Sequence, residues 1–322
     1  CVGGYGEEEA VSFACRRVRG WEGRRDDVRK LVVRLDLFPL AITQALDYCM
    51  DCGLTPVEYV DEMNGEDERE WAEEQRELHE RMKAQKRETD KYPVSFVEVV
   101  RMSMKKLEET DPGGTMVAYS LLRKLAYLHP SDMPLELFRP AERRRFGVLQ
   151  KQSLVVASTQ QSTLGEGSSS SGSVTMHALT QEVVRGHLME SSKGKVVCEL
   201  VKALDDKMQE YDKAKPETFG VGWMYSAHIE HLVEVLRLDG DLGGGTERGM
   251  WDDEGVERLV KLCGKTGNFL IQIACLYSKA LKLFEASLGL LLAHFDDGER
   301  ADVADMYGNM GDVFSSQGLY DK

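Results

Sequence analysis

Few residues in this chain have the types and spacing that chemistry requires. Cys49-Met-Asp-Cys52 presents two thiols three residues apart, a spacing used by zinc ligands and redox dithiols. It stands without a second such pair or a nearby histidine pair, and positions i and i+3 share one helix face, so it reads as two packed thiols. His228 and His231 are also one helical turn apart, with no clear third ligand among the other histidines (79, 129, 177, 187 and 294), so no metal site is expected. Gly264-Lys265-Thr266-Gly267 has the ending of a phosphate-binding loop. Such a loop needs a glycine five residues before its Gly-Lys pair, so that backbone N–H groups can wrap the phosphates. Position 259 is leucine, and Leu262, Phe269 and Leu270 keep helical spacing, so a helix is expected there. No Ser-His-Asp, Cys-His or paired-carboxylate arrangement stands out. No catalytic residue is expected, and the chain by itself is read as not an enzyme.

The 322 residues include 41 basic and 55 acidic side chains, for a formal charge of -14. That charge disfavours general attraction to nucleic acid or anionic lipid. Two basic clusters, Arg16 to Arg29 and Arg143-Arg144-Arg145, have Glu22, Asp26, Asp27 and Glu142 beside them and read as solvated or internally paired faces. The longest apolar stretches, Phe269 to Tyr277 and Leu288 to Phe295, fall well short of the roughly 20 residues that cross a bilayer, so no membrane association is expected. Seven scattered cysteines suit reduced thiols and a cytoplasmic location. The opening Cys1-Val2-Gly3-Gly4 lacks a secretory core segment, and the sequence reads as part of something longer.

Apolar residues at helical spacing dominate, so the fold class is mainly α. Val28, Leu31, Val32 and Leu35 make one apolar face; Phe38-Pro39 interrupts it, and Leu40, Ile42, Ala45, Leu46 and Tyr48 resume it. This predicts two helices with the proline in the first turn of the second, Gly53 capping its end and Thr55-Pro56 starting a third. Residues 1–63 are thus a helical subdomain. Residues 64–92 are rich in charge and read as a helical linker. Residues 93–195 read as helices followed by two β-prone runs, Ser153 to Ala157 and Ser173 to His177, around a Ser/Gly-rich loop at 162–173. Three helices and then a short β-hairpin is the order of a winged helix. Residues 196–255 form a second helical linker. In residues 256–322, Ile271, Leu276 and Tyr277 match Phe314, Leu319 and Tyr320 at an offset of 43 residues, the sign of one full helical repeat and one truncated one, the start of an α-solenoid.

Several of these patterns resemble those of NB-ARC signalling ATPases of the STAND class, NLR-like proteins. Leu37-Phe38-Pro39-Leu40-Ala41-Ile42 with Gln44-Ala45 and Tyr48, followed by Gly53-Leu54-Thr55-Pro56-Val57-Glu58-Tyr59-Val60, resembles the helical ARC-type subdomain of that family, and Glu7-Glu8-Glu9-Ala10 resembles its start. Thr115 to Leu128 with Met133-Pro134-Leu135-Glu136-Leu137 resembles its winged helix. Met176-His177-Ala178-Leu179 with Gln181-Glu182-Val183-Val184-Arg185 resembles the closing histidine motif, with Ala178 in place of the family's common aspartate. The C-terminal windows resemble tetratricopeptide (TPR) repeats of the kinesin-light-chain type.

The resemblance implies an ADP/ATP site completed by a P-loop domain, whose Walker A and B motifs are absent from this sequence. Pro39 would lie against the adenine, and His177 would bond the β-phosphate of ADP and keep the off state closed. The implied function is the regulatory and protein-interaction portion of a signal-transduction switch, with ADP binding sensed by the winged helix and a protein or peptide ligand bound on the repeats. Homo-oligomerisation would accompany activation. The alternatives are a non-enzymatic repeat scaffold that uses no nucleotide, and a winged-helix DNA-binding regulator, which the net charge disfavours.

Overall fold

The structure, a computed structural model, describes residues 4–64, 94–109, 117–158, 172–186, 190–242, 251–295 and 301–318. The charged linker after residue 64, the Asp111 to Gly114 turn, nearly all of the Ser/Gly-rich loop, and Leu319 and Tyr320 of the second repeat window lie outside the described residues. The described chain is mainly helical with one small sheet. It divides into two compact units: residues 1–126, 139–160 and 174–187, and residues 127–138, 161–173 and 188–322.

The first unit opens with α1 (Glu7–Arg17), whose first turn holds Glu7, Glu8 and Glu9 and whose last holds Arg16 and Arg17, complementing the helix dipole. It buries Ala10, Val11, Ala14 and Cys15 beside α2 (Arg25–Arg34), which buries Val28, Leu31 and Val32. Arg29 bonds Glu7 at 2.9 Å and Glu8 at 2.5 Å, and Arg25 bonds Glu8 at 3.0 Å. Part of the first basic cluster is thus engaged within the molecule. Helix α3 (Pro39–Cys52) ends at Gly53, whose φ of 72° is the left-handed value a residue without Cβ adopts freely. Helix α4 (Pro56–Asn64) starts with a capping box: Thr55 N–H donates to Glu58 at 2.8 Å, and Glu58 N–H donates back to the Thr55 hydroxyl at 3.3 Å.

Helices α5 (Val94–Glu109) and α6 (Val117–Leu125) follow, and α5 packs on α3 through Phe96, Val99 and Val100. Three short strands, β1 (Met133–Pro134), β2 (Val156–Ser158) and β3 (Ser173–Thr175), form a sheet in the order β1-β3-β2. A two-residue strand has no readable period, and β1 was not anticipated. The expected strand from Ser153 starts later, at Val156, because Ser153 sits in a turn at φ 50°. Ser173, the expected end of the loop, already belongs to β3. A single 3-10 turn, Leu135–Leu137, follows β1. Helices α7 (Pro140–Arg143) and α8 (Phe146–Lys151) precede β2, and α9 (Ala178–Gly186) follows β3.

The second unit contains α10 (Glu190–Met208), α11 (Phe219–Leu238), α12 (Asp253–Gln272), α13 (Tyr277–His294) and α14 (Ala301–Ser316). Uninterrupted helical spacing carries α10 through the expected boundary at 195/196 and α12 through that at 255/256. Asp252 caps α12 by accepting the Gly255 N–H at 2.7 Å. Helices α12 and α13, joined by residues 273–276, pack closely as a helical hairpin, and α14 packs on α13.

The Gly264-to-Gly267 segment lies inside α12, and of its two glycines Gly267 is the one that packing requires. A Cβ on Gly267 would stand 2.4 Å from the ring of Phe284, a fully buried side chain on α13. At Gly264 the nearest atom to a new Cβ is the flexible Met306 Cε, at an ordinary 3.5 Å. Gly267→Ala gains up to about 1 kcal/mol of helix propensity but overpacks a rigid ring at about 1–3 kcal/mol. The expected result is a lower urea midpoint for Gly267→Ala and an unchanged or higher one for Gly264→Ala; equal midpoints would remove the packing explanation.

Candidate functional site

Pro39 is set by the turn before it. Leu35 closes α2, and Asp36 and Leu37 then take left-handed φ values of 53° and 54°. For side-chain-bearing residues this costs roughly 1–2 kcal/mol each. The Leu37 N–H donates to the Val32 carbonyl at 3.0 Å, the Leu37 carbonyl accepts the Tyr5 N–H at 3.0 Å, and Phe38 meets Phe96 edge-on at 5.6 Å. The chain therefore enters α3 with extended Phe38 and with Pro39, half-buried, in the first helical position, where the missing N–H costs nothing.

His177 stands immediately before α9. Its carbonyl accepts the Gln181 N–H at 3.0 Å, and its Nδ1 accepts the Leu179 N–H at 3.2 Å. The ring thus caps the helix with one nitrogen. In the neutral ring the proton then resides on Nε2, which leaves Nε2–H as a donor on an exposed residue. Partial desolvation of the ring lowers its pKa below the ordinary histidine value and favours this neutral form.

A buried polar seam joins the helices that carry these two residues. Gln44 on α3, fully buried, donates from Nε2 to the Ser153 carbonyl at 3.3 Å and to the Thr180 hydroxyl on α9 at 3.5 Å. Asp47, one turn further along α3, accepts from Arg17 of α1 through Nε at 3.0 Å and Nη2 at 2.7 Å, and from the Ser153 hydroxyl. The second turn of α3 therefore meets the first turn of α9 within one unit. Gln181 donates to the Leu125 carbonyl at 2.8 Å and Arg185 donates to the Ala126 carbonyl, so two motif residues of α9 satisfy orphan carbonyls at the end of α6. Asp47, Arg17, Ser153 and Thr180 were missed as site-forming residues. The available signal was Gln44 and Asp47, two polar residues one turn apart among the apolar positions of α3.

The other candidates separate. Cys49 is buried, but Cys52 is half-buried and meets Lys106, so only one of the two thiols is simply packed. Tertiary folding brings a third histidine to His228 and His231: the His129 ring lies 6.2 and 5.9 Å from theirs, edge to face. Among the described residues, however, no group of three His, Cys, Asp or Glu side chains is arranged to hold a metal ion. His129 and His231 border a cavity of about 780 Å³ between α11 and α13, floored by Val233 and Leu283. In the second basic cluster, Arg143, Arg144 and Arg145 follow Glu142, which is itself buried and bonded by Lys124 at 2.7 Å and Arg139 at 3.2 Å. Among the described residues no helix is long and apolar enough to cross a membrane.

Compared with known proteins, the chain matches no family model, no curated protein and no solved structure. The fit of the residues to an adenine nucleotide therefore rests on this chain alone. A helix start with a free imidazole N–H donor suits a phosphate oxygen, and a half-buried proline ring at a neighbouring helix start suits a flat base. The two residues fit the group.

His228 supplies a pH test of the second unit. It is 3% exposed, and burial, with the charge of His129 adding to it, lowers its pKa from 6.5 to about 4 against the opposing pull of Asp132. Because the folded value lies below the unfolded one, the stability contribution is complete above about 6.5 and is lost as the pH falls toward 4. The shift corresponds to on the order of 3 kcal/mol. Urea midpoints should fall between about pH 7 and pH 4.5, and fall less in His228→Gln; an equal fall in the variant would place the titration elsewhere.

Proposed function

We propose that this chain is the regulatory and protein-interaction portion of an ADP/ATP-dependent NB-ARC–TPR switch, acting in the cytoplasm and itself without catalytic activity. The observation that supports the reading is that the helix opened by Pro39 and the helix capped by His177 are joined through Gln44 and Thr180. Helices α5, α6 and α8 followed by the β2–β3 pair support a winged helix. The α12–α13 hairpin with α14 behind it supports one and a half TPR repeats, whose stacking makes surfaces for a protein or peptide partner.

ADP, when bound with a P-loop domain, supplies the phosphate charge that distinguishes the off state. In this chain His177 would hold that phosphate through its Nε2–H, the donor left once Leu179 occupies its Nδ1. Pro39 gives the base a rigid apolar surface. Gln44 and Thr180 link the two helix starts, so a shift of α9 is felt at α3. Gln181 and Arg185 tie α9 to the end of α6, so a change at His177 would be passed on to α6.

The test uses a chain that carries this sequence behind a P-loop domain. Loss of one charge-assisted hydrogen bond, about 1.5–3 kcal/mol, weakens ADP retention roughly ten- to a hundredfold. His177→Ala is expected to exchange labelled ADP faster by that factor and to oligomerise without ligand. Unchanged exchange and unchanged oligomeric state would leave a helical scaffold in which His177 only caps α9.

A further inference from the structure

Helix α3 ends in a second chemical feature, at the opposite end from Pro39. Cys52 is its last residue, half-buried, and Gly53 turns the chain away at φ 72°. Lys106, reaching across from α5, places its Nζ 2.6 Å from the Cys52 sulfur and 2.8 Å from Asp51 Oδ2, and lies 5.0 Å over the Tyr48 ring. The Lys106 ammonium is thus held against the Cys52 sulfur, where it would stabilise negative charge on that sulfur as it reacts. Cys49 lies one helical turn back, 1% exposed. Residues three apart on a helix have Cβ atoms about 5–6 Å apart, and their Cα atoms fall within the range of about 4.4–6.8 Å that a disulfide spans. The Cβ separation must close to about 3.5–4.5 Å, which the final turn of a helix can supply by fraying.

We propose that Cys49 and Cys52 form a dithiol that hydrogen peroxide oxidises to a disulfide, with Cys52 as the attacking sulfur and Lys106 as the residue that activates it. The Cys52 thiolate attacks one peroxide oxygen: an S–O bond forms, the O–O bond breaks, and the departing hydroxide takes a proton to leave as water. The Cys49 thiol then attacks the sulfur of the resulting sulfenic acid; the S–S bond forms, the S–O bond breaks, and the oxygen leaves as a second water with the thiol proton. The two sulfurs together lose two electrons and two protons, and the peroxide takes up both. A thiol reductant reverses the change by exchange. Oxidation removes the thiol partner of Lys106, one of the contacts between α3 and α5.

The experiment treats the 322-residue chain with hydrogen peroxide, quenches with an alkylating reagent, and follows each cysteine by peptide mass spectrometry. Cys275, exposed and outside the cluster, is the internal reference. The expected result is a peptide containing Cys49 and Cys52 that loses two hydrogens, resists alkylation, and forms at least about tenfold faster than Cys275 oxidises. Cys49→Ser should instead accumulate sulfenic acid at Cys52, trapped by dimedone, and Lys106→Gln should slow the wild-type reaction about tenfold. Oxidation of Cys52 no faster than Cys275 overturns the proposal. So does a wild-type chain whose Cys49 remains alkylatable after Cys52 is oxidised, or an unchanged rate in Lys106→Gln.

Discussion

The carboxylate of Asp47 lies on the inner face of α3 with 5% of its surface exposed. Unpaired, a charge in that position would cost several kcal/mol. Arg17 grips it with two nitrogens from α1, and the Ser153 hydroxyl reaches it from the turn after α8. Three separated parts of the sequence, near positions 17, 47 and 153, are therefore held at one point, and the geometry of each is set by the others. Gln44, one turn before Asp47, extends the same seam to Thr180. The placement of α9 against α3 is tied at this seam.

Polar bonds of this kind contribute less net stability than the apolar surface around them, but they are demanding in geometry. Ile42, Leu46, Phe96 and Leu121 are fully buried and supply the hydrophobic drive of the first unit. A greasy interface alone tolerates small slips of one helix along another. A buried amide and carboxylate tolerate fewer, because each lost partner leaves a desolvated group behind. In the second unit Gly267 lets the Phe284 ring approach α12, and Phe269 lies edge-on to both Tyr211 and Trp223 at 5.3 Å. Buried Lys193, paired with Asp239 and Asp241, supplies a polar tie there too.

Local features were readable from the residues in order. The helical period of Val28 to Tyr48, the proline at the start of α3, the glycine at its end and the Thr55–Glu58 capping box are short-range effects, so the chain states them wherever they occur. The helical character of the Gly264-to-Gly267 segment followed from its flanking leucines. Less was legible where an element is too short to show a period, as with β1, or where a turn residue such as Ser153 displaces a strand.

What the sequence by itself determined was the mainly α class, the helix ends at Pro39, Gly53 and Pro56, and the identity of Pro39 and His177 as residues to locate. The tertiary structure alone decided which residues meet. Partners such as Gln44 and Thr180, 136 positions apart, Cys52 and Lys106, 54 apart, or His129 and His231 leave no local trace. Their proximity is settled by how whole helices bury their apolar faces, a sum over many weak contacts that no short window of sequence contains.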